Sequence, residues 1–247
     1  MKYLQFSGRA SVLVAVLAMG ISLFCVIHPS ALWVLGSFMA FQVYWVCGVA
    51  CGAHRYFVHR SFETSPFWRE FMVWAICAAG GLHPYISIAI HREHHKHSDT
   101  PNDPHNHYRG WGLVNAKKLN LTIPRRLLKQ FLNDPVAMRI QKYYLLYPLV
   151  TAGVLALISW EALIYLWAIP TACTQVLRKT VLLDWVHRFG YQSWNTNDDS
   201  RNSKLLALLF GGEGLHNNHH AFPNRWDMAM KKGEIDPGAW FIRLIKR

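Results

Sequence analysis

The sequence predicts an all-α integral membrane protein. Four transmembrane helices form two hairpins, with interfacial helices beside them and a histidine-rich site for two metal ions on the cytoplasmic face. Three observations lead there. Charge-free apolar runs recur in pairs along the 247 residues, of which 52% are hydrophobic. Lys and Arg avoid the short connectors within each pair and crowd the other segments, for a net charge of +12 from 26 basic and 14 acidic residues. Eight histidines gather in three clusters, each close to the end of an apolar stretch.

Taken in order, residues 11–27 and 31–51 form the first pair of spans, and residues 143–160 and 162–177 the second. A spanning helix needs roughly 20 mostly apolar residues, so the shorter runs stand near the lower limit. No small-residue cleavage site follows the first run, which is therefore read as an uncleaved helix. The connectors His28-Pro29-Ser30 and Ser159-Trp160-Glu161 carry no Lys or Arg, whereas the N-terminus, residues 117–142 and everything after Arg178 are rich in them. Positive charge marks the cytoplasmic side, so both termini and all three clusters are expected there. The stretch 67–90 is apolar from Phe71 onward, but Gly80-Gly81 and Pro84 break it into pieces of about ten residues or fewer, too short to cross. It reads as interfacial or re-entrant, which keeps the first two clusters on one side. Near the C-terminus, Asp236 and Pro237 form an N-cap and N1 pair. Trp240, Phe241, Ile242, Leu244 and Ile245 then suggest a short interfacial helix ending in Lys246-Arg247. The whole chain, 1–247, is one membrane domain. Its five cysteines lie in or beside apolar segments without a C-x-x-C pair, and read as small hydrophobes.

The clusters are His54-Arg-Tyr-Phe-Val-His59, His91-Arg-Glu-His94-His95 and His216-Asn-Asn-His219-His220. Neutral imidazole is a common ligand for iron, zinc and copper, and eight imidazoles exceed the needs of one ion. On a helix, positions i, i+3 and i+4 share a face, so each H-x-x-H-H run projects together. His54 and His59 are five apart, which does not align on a regular helix. His54 is read as ending the second span, with His59 in an irregular turn beyond it. Ligating imidazoles need outer acceptors to fix their tautomer. Glu63, Glu93, Asp99, Asp103 and Glu213 are near enough in sequence, though the same acids could simply be solvated.

These boxes, together with Asp103-Pro-His105, Gly212-Glu-Gly-Leu-His216 and Ala221-Phe-Pro223, resemble the membrane fatty-acid desaturases, above all the Δ9 acyl-CoA and acyl-lipid group. The likeness extends through Arg60-Ser-Phe-Glu63, His187-Arg-Phe-Gly-Tyr191 and Glu234-Ile-Asp236, most of the chain from about residue 45. It implies that the eight box histidines hold two irons and that His187, on the extension of the last span, is a ninth ligand. His97 and His105 would then stand behind the ligands, and His107 would face substrate or donor. His28 and His83 have no ligand role. Two departures stand out. Leu183 occupies the place of a family Asn, with Asp184 as the neighbouring candidate for its role. After Arg109-Gly110 the family's aromatic stretch is replaced by Trp111-Gly112-Leu113-Val114, where recognition of the acyl head group would begin.

The resemblance implies O2-dependent desaturation of a fatty acyl chain, as acyl-CoA or acyl-lipid, giving a cis double bond, Δ9-like. Imidazole alone does not exclude zinc, but only a redox metal supports that reaction. The chain has no G-x-G-x-x-G, iron–sulfur cysteine set or haem domain. An external donor of the ferredoxin or cytochrome b5 type is therefore implied. Lys117, Lys118, Arg125, Arg126 and Lys129 are candidates for its docking face or for lipid phosphates. Tyr44, Trp45, Tyr56, Trp74 and Trp185 are candidates for an acyl channel, or for packing. No nucleic-acid-binding motif is visible. A lipid hydroxylase or other oxygenase shares the same scaffold. A metal transporter is the remote alternative, since transport places polar ligands inside the spans and these clusters lie at their ends.

Overall fold

The computed structural model describes residues 3–7, 9–23, 30–80, 84–104 and 120–247. Helix α1 covers Arg9–Leu23. Helix α2 runs from Ala31 to Val58, its start capped by the Ser30 hydroxyl, which accepts from the Trp33 amide at 3.4 Å. It is α-helical to Gln42 and π-wound from Val43 to Val58. Among the described residues α2 alone is long and apolar enough to cross a membrane, and Val12–Ser22 and Leu146–Ile158 are shorter apolar helices.

The stretch 67–90 breaks where the glycines and the proline stand. Helix α3, Pro66–Ala78, ends before Gly80, whose φ of +62° suits a residue without a side chain, and α4, Pro84–His97, begins afresh at Pro84. Met72, Val73, Ala75, Ile76, Cys77 and Ala78 bury one face of α3. Close approach to α2 depends on Gly48, where a Cβ would stand 2.9 Å from the Ala75 carbonyl. The carbonyls at the end of α3 are not left bare. Ala78 accepts from the Trp167 indole at 2.9 Å, and Ala79 from Gln175 at 2.6 Å.

After two short helical turns over 125–132, α5 (Pro135–Tyr143) starts on an Asp134 cap. Then come α6, Leu146–Ile158, and a longer helix, α7, over 160–188 that contains π turns at Ile164–Ala168 and Val181–Trp185. Ser159, extended and accepting from the Ala162 amide, makes the tight turn expected between them. Three short helices complete the chain: α8 (Lys204–Leu209), α9 (His216–Ala221) and α10 (Pro237–Ile245). The Asp236 carboxylate caps α10 as expected, accepting from the Ala239 amide at 2.9 Å.

One element corrects the all-helical expectation. Strands β1 (Tyr3–Ser7) and β2 (Asn120–Pro124) pair antiparallel, Tyr3 opposite Pro124 and Ser7 opposite Asn120. The register sets Leu4 against Ile123 and Phe6 against Leu121, and both segments alternate apolar and polar residues with the period of a strand. Each is five residues long, too short to stand out beside helical runs.

Candidate metal centre

The π winding of α2 resolves the awkward spacing of the first cluster. Bonds of the i→i+5 kind widen the helix, and the His59 amide donates to the His54 carbonyl at 3.1 Å, so two residues five apart come onto one face. The irregular turn expected at His59 is therefore the end of a π-wound helix. α4 supplies His91, His94 and His95 from one turn, and α9 supplies His216, His219 and His220 in the same way. His187 follows the π turn Val181–Trp185, which keeps α7 going long enough to bring a buried imidazole to the others.

The nine histidines divide into two groups. His54, His59, His91, His95 and His219 bring one nitrogen each to within 4.8 Å of one another, and His94, His187, His216 and His220 do the same. In the first group the Nε2 atoms form a chain: His54 to His219 at 3.0 Å, His219 to His95 at 2.9 Å, His95 to His91 at 2.9 Å and His91 to His59 at 3.0 Å. In the second, Nε2 of His216 and His187 are 3.0 Å apart. His94 and His95, adjacent in sequence, point into different groups, as their divergence around the helix axis requires.

Behind the rings stand carboxylates. His54 Nδ1 lies 2.6 Å from Glu213, His94 Nδ1 2.8 Å from Asp103, His187 Nδ1 3.0 Å from Asp99 and His220 Nδ1 2.7 Å from Asp198. Asp99, Asp103 and Glu213 were legible candidates. Glu93 instead faces His97 at 3.8 Å and Arg126 at 4.0 Å. Asp184 pairs with Arg188 at 2.6 Å along α7, not with the centre.

A metal ion in each group fits these atoms. An imidazole whose Nδ1 hydrogen serves a carboxylate presents a bare lone pair at Nε2, and several such lone pairs face one another here. The buried Nε2 of His220 has no hydrogen-bond partner. Metal–nitrogen bonds of about 2.1 Å would let one ion reach nitrogens that stand 2.9–3.0 Å apart. Six of the nine rings are also pushed toward the ligating, neutral form. Burial first, and then the neighbouring imidazoles, push His59, His91, His95, His216 and His219 well below the ordinary imidazole range. His220 is lowered to about 4, burial outweighing the Asp198 hydrogen bond. Burial pushes the Asp198 carboxyl up, but His220, Ser200 and Thr196 hold it below the usual carboxylate range.

Several supports went unnoticed in the sequence. Arg55, 1% exposed, donates to the Trp226 carbonyl at 3.0 Å, Asp236 at 3.0 Å and the Gly211 carbonyl at 2.8 Å, and lies 3.5 Å from Glu213. Asn217 and Asn218, between the histidines of the third box, are fully buried anchors. The Asn217 side chain accepts from the Ser193 and Trp194 amides and donates to the Trp194 carbonyl. The Asn218 side chain accepts from the Trp194 indole and Asn202 and donates to the Met228 carbonyl and Glu234. Together they hold the loop that carries Asp198. Among the proposed channel aromatics, Trp45 donates to the Phe210 carbonyl, Tyr44 to the Leu166 carbonyl and Trp74 to Thr151, while Tyr56 packs on Phe57 and Phe62 and Trp185 packs beside Val181 and Phe210. Those contacts are packing. Arg125, Arg126 and Lys129 are exposed. Cys25, His28, His83, His105, His107, residues 109–114, Lys117 and Lys118 lie outside the described residues.

The sequence matches the family described as "Fatty acid desaturase" over residues 29–228. It is 32% identical over 221 residues to an sn-1 stearoyl-lipid 9-desaturase of Anabaena variabilis, covering 84% of this chain and 79% of that protein. An enzyme of the same description from Synechocystis is 34% identical over 212 residues, or 80% of this chain and 65% of the relative. Human stearoyl-CoA desaturase 5 is 30% identical over 256 residues, or 95% of this chain and 76% of the relative.

Proposed function

Because the chain belongs to the fatty acid desaturase family, we propose that it is an oxidoreductase that introduces a cis double bond, Δ9-like, into a fatty acyl chain carried on a glycerolipid or CoA. The observation that carries the reading is the division of nine inward-facing histidines into two groups of ligating size. His54, His59, His91, His95 and His219 would hold one iron, and His94, His187, His216 and His220 the other. Two bound irons supply the redox chemistry with O2 that removes hydrogen from an unactivated methylene pair, which no side chain can do. The protein's own part is orientation and exclusion. Carboxylates hydrogen-bonded behind His94, His187 and His220 fix which nitrogen faces inward, and burial keeps the centre away from bulk water.

The four-span arrangement, with residues 67–90 at the interface and both termini on the side of the centre, belongs to this proposal. Supporting it, Val16, Leu17, Leu35, Phe38, Val150 and Val154 stand exposed along α1, α2 and α6. An exposed apolar surface of that extent suits lipid. Electrons come from a ferredoxin or cytochrome b5 type donor, for which exposed Arg125, Arg126 and Lys129 offer a basic face.

Expression with stearoyl lipid, followed by mass spectrometry of the products, tests the reaction. A product lighter by two hydrogens is expected, and a hydroxylated product would replace this reading with the oxygenase one. His219→Ala should abolish the product while the protein stays in the membrane fraction. Retained desaturation would remove the histidine centre from the reaction.

A further inference from the structure

We propose that the two histidine groups are unequal metal positions, and that the four-histidine position takes a divalent ion more tightly than the five-histidine one. The inference rests on the two-metal reading above and concerns what lies behind the rings. In the four-histidine group, three rings are backed by carboxylates: His94 by Asp103 at 2.8 Å, His187 by Asp99 at 3.0 Å and His220 by Asp198 at 2.7 Å. In the five-histidine group, among the described residues, one ring has a carboxylate at its Nδ1, His54 with Glu213 at 2.6 Å, a contact that lacks hydrogen-bond geometry. Glu213 also lies 3.5 Å from the Arg55 guanidinium. That cation draws on the negative charge that would otherwise act through His54.

The three aspartates are built into place. Asp198 accepts from the Ser200 amide at 3.0 Å and from the Thr196 hydroxyl at 2.6 Å. Asp99 accepts from the Asp199 amide at 2.8 Å, and Asp103 from the Asp99 amide at 2.9 Å. Each therefore holds its ring in a fixed orientation with the inner nitrogen bare. A carboxylate behind a ligating histidine raises the basicity of the far nitrogen, and its loss typically costs about 10- to 100-fold in metal affinity. Three backed rings against one is a difference of two, or about 10²- to 10⁴-fold on that scale. The fifth imidazole acts in the opposite direction as one further neutral donor, so the gap is expected at the low end of that range. A half-loaded protein then carries its ion on His94, His187, His216 and His220.

The test is an anaerobic titration of the full chain, stripped of metal in lipid nanodiscs, with Co2+ alone, followed by equilibrium dialysis and visible absorption. Two equivalents should bind in two steps, the first about 100-fold tighter. Asp198→Asn should weaken the tight step about 10- to 100-fold and leave the weak one in place. Glu213→Gln should weaken only the second step, and in each variant the unaffected step reports that the fold survives. Equal steps in the unaltered protein would overturn the proposal, as would a Glu213→Gln variant that loses the tight step. Saturation below two ions would instead count against the two-metal reading itself. Where Asp198→Asn does not fold, Asp103→Asn, behind His94 of the same group, takes its place with the same expected loss, and a variant that weakens only the second step would overturn the proposal.

Discussion

Along the 12 residues Ala31–Gln42 of α2 no side chain is buried, and Leu32, Val34, Leu35, Phe38 and Met39 all stand exposed. In the region from 187 to 219 the pattern is reversed, with His187, Ser200, Asn202, Asn217, Asn218 and His219 buried. The first part of α2 presents hydrocarbon outward and the histidine-bearing region draws polar groups inward. Each region follows from its surroundings. A surface facing lipid gains nothing by hiding leucine, whereas a buried cluster of imidazoles is tolerable only where every amide and hydroxyl around it is paired. Stability should therefore fail in opposite ways in the two regions.

The largest effect is expected at Asn218. Replacing it with Leu keeps the branching but not the volume, and takes the Asn218 partner from the Trp194 indole, the Asn202 amide and the Met228 carbonyl. Buried groups stranded in this way cost about 1–3 kcal/mol each. We expect Asn218→Leu to lose about 4 kcal/mol and to release metal with the loop that carries Asp198. Thermal unfolding in nanodiscs with metal analysis checks both. Full metal content in a stable variant would mean that the loop is held from elsewhere.

Next comes a charge on the hydrocarbon side. Val154, 53% exposed at the middle of α6, would cost little as Lys in water, but a Lys at the centre of a spanning helix costs about 2.5–3.5 kcal/mol. Ile235, 37% exposed beside the Asp236 cap, should accept Lys within about 0.5 kcal/mol. The membrane-integrated fraction of the two variants gives the comparison. Equal tolerance would place α6 in water and remove the second hairpin from the bilayer.

The same contrast explains what could be read from the sequence. The apolar helices announce themselves through composition, because a run of apolar residues is a local property, and the turn at Ser159 and the break before Pro84 stand where charge and chain stiffness put them. The histidines that group were legible too, since two of the three boxes stand at helical spacing. Their supports were only half legible. Asp99 and Asp103 follow their box closely, but Asp198 stands 22 residues before His220 and reaches it through a loop pinned by Asn217. Asn217 and Asn218 look like spacers between histidines until their four-way bonding is seen. The π winding of α2 leaves no composition mark. Its one sequence trace is the spacing from His54 to His59, which a regular helix cannot align. The β1–β2 pair joins segments more than 100 residues apart, which no local pattern reports.

The smallest effects separate protein-facing from lipid-facing helix surface at the level of a single methyl. At Gly48 an added Cβ would stand 2.9 Å from the carbonyl carbon and oxygen of Ala75, so α2 and α3 must part or α3 must shift. Overpacking of that kind costs about 1–3 kcal/mol, and Gly48→Ala should lower the unfolding temperature accordingly. At Gly153, on α6, an added Cβ meets nothing within 4 Å. Gly153→Ala should then be neutral or stabilising by up to about 1 kcal/mol, the helix-propensity gain of Ala over Gly. The pair is informative because both glycines lie in apolar helices and neither touches a histidine group, so metal loading drops out of the comparison. A Gly153→Ala variant as damaged as Gly48→Ala would show that this face of α6 packs against protein, a second copy of the chain being the nearest source, and that lipid does not cover it.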